Sequence, residues 1–268
     1  MPRTGFAGRV HSVFAQACNL ACNDTLLTVC APCGSIGPLT LRLADDAPQD
    51  LRELFEEGER IDGGQGGLRT HRTELQWTLA AVWRAAEPRA LLARAQIEPR
   101  LNAAAAGLAQ FRRTHPSIVD GAGAAAAAAL QESCRTLDDR LAARQVKRLI
   151  GWGEGLTPAG DDFLVGLLAG LDTLVRGGPA RLQFRDTLAA TVVGLADQTT
   201  SLSAHYLHLA AAGHVGEPLL SLRDALTAEP LAHVIDDALR SVLAIGATSG
   251  ADTVSGLLAA LAAWPMPA

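Results

Sequence analysis

Gly151-Trp152-Gly153-Glu154-Gly155-Leu156-Thr157-Pro158-Ala159-Gly160-Asp161-Asp162-Phe163 is the stretch on which the fold of this chain turns. It reads as a glycine-rich loop running into a helix. Glycines at alternate positions let the backbone bend sharply and lie close to a ligand, because no Cβ blocks the approach. Thr157 offers an N-cap oxygen, and Pro158 suits the first helical position, whose N–H has no partner anyway. From Phe163 to Val175 the sequence is apolar and helix-compatible, and Gly177-Gly178 stops it. Such a start presents backbone N–H groups, the positive end of the helix dipole and two adjacent carboxylates. Acidic residues are at home there as simple capping charges. Three spaced glycines and a paired Asp exceed what a cap needs, so Asp161 and Asp162 are candidates for a ligand or metal site.

Working outward toward the C-terminus, the chain is helical throughout. Leu130, Cys134, Leu137, Leu141 and Leu149 predict one amphipathic helix ending at Gly151. Leu188, Val192 and Leu195 predict another, ending near Gln198, and Leu202, Tyr206 and Leu209 a third, stopped by Gly213. Leu231, Val234, Ile235, Ala238, Leu239, Val242 and Leu243 keep the 3.6 period up to Gly246, and a last helix runs from about Gly250 to Trp264. Short connections predict antiparallel neighbours in a bundle.

Toward the N-terminus the pattern changes to strands: Gly8 to Phe14, Thr25 to Val29, and Leu39 to Leu43 after Gly37-Pro38. Asp46 to Glu57 reads as a short helix and Gly58 to Gly67 as a glycine-rich loop. Leu75, Trp77, Leu79, Ala81 and Trp83 alternate as one or two further strands. Pro88 to Gln110 is helical in composition, interrupted at Pro99. Between Ser117 and Ala129 the chain turns low-complexity, which places a domain boundary there. The expectation is an α+β protein, with a mainly β domain over 1–115 and a helical bundle over 130–268 that carries the glycine and Asp motifs.

Composition narrows the function. Hydrophobic residues make up 49% and charged residues 19% of the chain, which suits a compact globular protein. A net charge of −5 without a basic run argues against nucleic acid and anionic membrane. No apolar run is long enough for a signal peptide or a membrane span. Cys18, Cys22, Cys30 and Cys33 have a spacing that invites zinc, but Cys30 sits in a strand where a small apolar residue is wanted. Reduced, buried thiols in a cytoplasmic protein are the expectation. Lys147 is the only lysine and does not follow the glycines, so a Walker-type phosphate loop is excluded. His205, His208 and His214 lack the Glu of a metalloprotease helix, and no Gly-x-Ser-x-Gly occurs.

Two helices in the C-terminal half share a pattern: Asp162-Phe-Leu-Val-Gly166 is echoed by Asp252-Thr-Val-Ser-Gly256. In each, a glycine follows the Asp four residues later on the same face, where a second helix can pack close. The stretch Thr248-Ser249-Gly250-Ala251-Asp252-Thr253 is thus a second loop-to-helix start, although its capping-box spacing alone would serve structure. Thr199-Thr200-Ser201-Leu202-Ser203 is a third, richer in hydroxyls than one cap requires. If the three starts converge, their N–H groups and hydroxyls form an anion pocket with Asp162 and Asp252 at the rim. Either Mg²⁺ then bridges the carboxylates, or they accept hydrogen bonds from a substrate –NH₂.

Taken together, Gly153-x-Gly155-Leu-Thr157-Pro158-x-x-Asp161-Asp162, Thr199-Thr200-x-x-Ser203, Tyr206-Leu with Ala-Ala-x-Gly213, and Thr248 to Thr253 resemble the AllH family of subunits associated with oxamate carbamoyltransferase. The resemblance is close over roughly 150–265 and looser over Val13 to Leu20. Ala159 and Ala247 depart from it, standing where Ser and His are usual. It implies a subunit of a carbamoyl-transferring assembly in ureide or purine-nitrogen catabolism, handling carbamoyl phosphate, oxamate or oxalurate with sister subunits. On that basis Gly153, Gly155, Gly160 and Gly250 with Thr157, Thr199, Thr200, Ser203, Thr248, Ser249 and Thr253 are expected to hold a small anionic substrate. Asp161, Asp162 and Asp252 would orient its amide, act as the catalytic carboxylates or bind Mg²⁺. A noncatalytic scaffold subunit and a Mg-dependent all-helical hydrolase are the competing readings.

Overall fold

A computed structural model describes residues 5–23, 25–64, 66–77, 82–84, 91–117, 121, 123–228 and 235–264. The chain forms two compact units, 1–86 and 87–268, the first built on a curled β-sheet and the second all-helical.

The first unit contains β1 (Phe6–Val13), β2 (Ala17–Cys22), β3 (Thr25–Cys30), β4 (Thr40–Arg42), β5 (Arg60–Gly64), β6 (Gly67–Arg69) and β7 (Glu74–Gln76) in one sheet of order β4-β3-β2-β1-β5-β6-β7. The ladders are antiparallel except for the parallel β3–β4 pair. β2 was not signalled by alternation, because it is buried along nearly its whole length. The glycine-rich stretch expected as a loop is instead the β5–β6 hairpin, with Gly64 paired to Gly67. The expected helix over Asp46 to Glu57 shrinks to a 3-10 turn at Leu51–Glu53, anchored by fully buried Leu51. Leu79 and Ala81 lie outside the described residues. Phe6, Val10, Leu20, Val29, Phe55 and Ile61 form the core, together with the buried Cys18 and Cys22. All the cysteines are free thiols, and burial pushes Cys18 up to about 12 and Cys30 up to about 11. Held protonated in this way, Cys18 and Cys30 pack as small apolar groups.

The second unit runs through α1 (Arg94–Arg112), α2 (Ala124–Thr136), α3 (Asp139–Leu149), α4 (Ala159–Leu174), α5 (Pro179–Leu195), α6 (Ser201–Ala211), α7 (Glu217–Thr227), α8 (Ile235–Leu243) and α9 (Ser249–Ala263). Pro99 lies inside α1 and does not interrupt it. The single helix expected from Leu130 to Leu149 is two, because Leu137 takes a left-handed φ of 56° and Asp138 then caps α3 through Leu141 N–H. α7 had no counterpart in the sequence reading. Positions 88–90, 118–120, Leu231 and Val234 lie outside the described residues.

α4 is the axis of this unit, with Leu164, Leu167, Leu168 and Leu171 fully buried. It packs most intimately on α9, and the contact is made by glycine. A Cβ on Gly166 would stand 1.8 Å from Thr253 O, and one on Gly256 would stand 1.9 Å from Phe163 O. Gly170 faces Leu257 and Ala260 further along. Because later residues of α4 meet later residues of α9, the two helices run parallel, with their N-termini at the same end. The pair is also quasi-symmetric in its supports. Gly160 lies against the carbonyl of Leu149 at the end of α3, as Gly250 lies against that of Val242 near the end of α8. The repeat seen in the sequence is therefore a packing device that aligns Asp162 and Asp252.

Candidate functional site

The loop before α4 is held by its own backbone. Gly151, Gly153 and Gly155 all have positive φ, of 67°, 121° and 88°, which side chains other than glycine rarely adopt. Helix α4 begins one residue later than the sequence suggested: Pro158 is the N-cap, and Ala159 is the first helical residue. Thr157 is freed from capping, and its hydroxyl lies 2.9 Å from that of Ser249, joining the starts of α4 and α9. Thr200 caps α6 by accepting from Ser203 N–H at 3.1 Å, and it donates to Leu156 O at 2.5 Å. The three helix starts therefore meet.

Two of the four glycines expected to hold an anion, Gly160 and Gly250, already use their amides. Gly160 N–H donates to Trp152 O at 2.8 Å, Asp161 and Asp162 N–H donate to Pro158 O, and Gly250 N–H donates to Ile245 O at 3.0 Å. Thr253 returns its hydroxyl to Ser249 O within α9. Gly155 differs from its neighbours, because nothing lies within 4 Å of where its Cβ would be.

The hydroxyls of the three starts serve the carboxylates. Asp161 is 1% exposed and accepts from Gly151 N–H at 2.9 Å and from the Thr199 hydroxyl at 2.5 Å, one donor to each oxygen. Burial raises its pKa, opposed by Thr199, Gly151 and Ser203. Asp162 is pushed well above the usual carboxylate range by burial, with the charges of Asp252 and Asp161 adding to it and the Ser249 and Thr157 hydroxyls opposing. Asp252 is fully buried and also raised by burial, against the pull of Ser117, Arg112 and Thr248. The Oδ2 atoms of Asp162 and Asp252 are buried without a hydrogen-bond partner, which is costly unless something supplies a donor.

Asp161 thus looks inward, as a clamp between the glycine loop and the start of α6. Replacing it with alanine strands a backbone N–H and a hydroxyl, and should cost about 2–4 kcal/mol in urea unfolding. A loss below about 0.5 kcal/mol would show that the clamp bears no load.

Sequence reasoning missed two residues. Arg112, at the end of α1, places Nη2 2.5 Å from Ser255 Oγ and 3.4 Å from both Ala251 O and Asp252 Oδ1. Ser117 donates to Asp252 Oδ1. Both lie about 140 residues from Asp252, and no local pattern marks one arginine among so many. As for metals, no group of three or more His, Cys, Asp or Glu among the described residues could hold an ion. Asp161 spends both oxygens on protein donors, so the trio does not fit Mg²⁺. His205 and His208 lie on α6 beside Tyr206, partly exposed and exposed respectively.

What results is an α+β protein whose helical unit sets two buried, donor-seeking carboxylates where three helix starts meet. Residues 149–261 match the family model described as oxamate carbamoyltransferase subunit AllH, and residues 1–85 match that of the AllH family N-terminal domain. The chain belongs to the AllH family, which supports its being a component of a carbamoyltransferase complex. No solved structure matches it. Among the described residues, no helix is long and apolar enough to cross a membrane.

Proposed function

We propose that this chain is the substrate-binding component of an oxamate-type carbamoyltransferase in ureide or purine-nitrogen catabolism, and that its site is the meeting point of α4, α6 and α9. The observation that carries the reading is the pair of unpartnered oxygens, Asp162 Oδ2 and Asp252 Oδ2. Oxamate carries an –NH₂ beside a carboxylate, and oxalurate keeps an N–H at the same place. Such a group supplies donors to two carboxylates at once.

The chemistry follows from the raised Asp162. When the oxamate nitrogen attacks the carbonyl of carbamoyl phosphate, the new N–C bond forms as the C–O bond to phosphate breaks. Phosphate leaves with the electron pair, and the nitrogen sheds a proton. A buried carboxylate with an elevated pKa is suited to take that proton. Asp252 orients the same group. Leu156 and Ile245, 39% and 41% exposed in the loops before α4 and α9, offer apolar contacts to sister subunits.

Thermal unfolding of the chain, alone and with its sister subunits, is the test. Oxamate at about 100 Kd should stabilise the fold by about 2.7 kcal/mol. Carbamoyl phosphate and oxalurate are tested singly and in pairs with it. The reading fails if none of these ligands shifts the transition in either preparation.

A further inference from the structure

We infer that Arg112 and Ser117 are positioning residues that hold Asp252 as the standing negative charge of the site, leaving Asp162 as the carboxyl that takes up and releases the proton. This rests on the reading above, in which the two carboxylates face one ligand. It goes beyond it by giving them unlike roles and naming what separates them.

Asp162 and Asp252 enter the site as near-equals. Each stands in the first turn of its helix, and each is followed four residues later by a glycine of the α4–α9 contact. Each keeps a buried Oδ2 without a donor. Two buried carboxyls that feel each other's charge do not ionise together, so their surroundings decide which one keeps the proton.

Those surroundings differ. Asp252 Oδ1 accepts from the Ser117 hydroxyl and stands 3.4 Å from Arg112 Nη2. The same guanidinium donates to Ser255 Oγ at 2.5 Å and to Ala251 O at 3.4 Å, so it is a cation anchored to α9 by bonds already made. Asp162 is met instead by the Ser249 and Thr157 hydroxyls, themselves 2.9 Å apart, and by the charges of Asp252 and Asp161. The other ion pair on α4, Asp172 with Arg185, lies further along the helix, about 15 Å away by helical rise. A paired cation favours the ionised form of Asp252, and an ionised Asp252 disfavours a second charge on Asp162. Burial raises both carboxyls, and Asp162 is the one pushed well above the usual range. Surroundings that drive two carboxyls apart assign one to proton transfer and the other to electrostatic support. In the transfer step the proton shed by the attacking nitrogen goes to Asp162, and Asp252 keeps its charge against the remaining N–H.

Carbon-13 NMR of the full-length chain, labelled at the aspartate carboxyl carbons, tests this, with Asp162→Asn and Asp252→Asn identifying the two signals. In the free wild-type chain Asp252 should titrate first, and Asp162 at distinctly higher pH. Arg112→Gln should move the Asp252 curve up and the Asp162 curve down. An Asp252 without its cation keeps its proton and no longer repels charge from Asp162. Arg112→Lys keeps the charge and should keep the order. A residue that merely ties α1 to α9 would move neither curve. If the glutamine variant does not fold, Ser117→Ala carries the test, with the same two movements in smaller size. Asp162 titrating at or below Asp252 in wild type overturns the inference, as do unmoved curves in whichever of Arg112→Gln and Ser117→Ala is folded. The titration needs no ligand, so its failure leaves the amide reading standing, and a chain that binds no oxamate can still show this order.

Discussion

Gly166→Ala should cost the protein about 2–4 kcal/mol, and Gly256→Ala should do the same. In an ordinary helix the change to alanine helps, by about 1 kcal/mol. Here the added methyl would stand 1.8 Å from the carbonyl oxygen of Thr253, or 1.9 Å from that of Phe163. The neighbours are backbone and cannot swing aside, so the helices must separate. That opens a contact lined by Phe163, Leu167 and Leu257, all buried. The two substitutions press on the same seam, so the double variant should lose less than the sum of the singles. Urea unfolding of the three variants measures this. A Gly166→Ala protein as stable as the wild type would mean that α4 and α9 do not approach as described.

Asp162→Asn should gain stability relative to the wild type as pH rises, and be nearly useless as a transferase component. The sign follows from the raised carboxyl. A group whose pKa is higher in the folded state favours folding fully only below its ordinary, unfolded value, and that favour is lost as pH rises through the elevated one. As pH rises through the elevated value, native Asp162 becomes a buried charge beside Asp252 and Asp161, and the isosteric amide removes that cost. The melting temperature of the variant should therefore climb relative to wild type with rising pH, and the gap should be smallest toward pH 4. Carboxylates remote from Asp162 titrate alike in both proteins and drop out of the difference, whereas Asp161 and Asp252 are coupled to it and contribute. In the reconstituted complex, carbamoyl transfer should fall about 10²–10⁴-fold, the usual worth of a general base. Stability that rises without a loss of transfer would remove Asp162 from the chemistry and leave it a strained structural group.

How much of this was legible without coordinates depended on whether the signal was local. The α8 period, the glycine stop after α4 and the Asp–Gly echo between α4 and α9 are written within short windows. Each became a real element or a real contact. β2 and α7 were missed because a fully buried strand loses its alternation, and a short helix without side-chain caps resembles its flanks. The hydroxyl-rich stretch at Thr199 stands out in the sequence. Its use, as donor to Asp161 instead of to an anion, could not be read from its composition.

The class of fold, the family and the three unusual helix starts can be read from the chain alone, because periodicity, glycine placement and motif spacing are properties of neighbouring residues. Only the tertiary structure decided that α4 and α9 run parallel, that Asp161 faces inward while Asp162 and Asp252 keep an oxygen each without a donor, and that Arg112 and Ser117 reach them from α1 and the segment beyond it. Those facts depend on how close backbones can approach and on which buried groups find partners, and neither is settled until helices distant in the chain have packed.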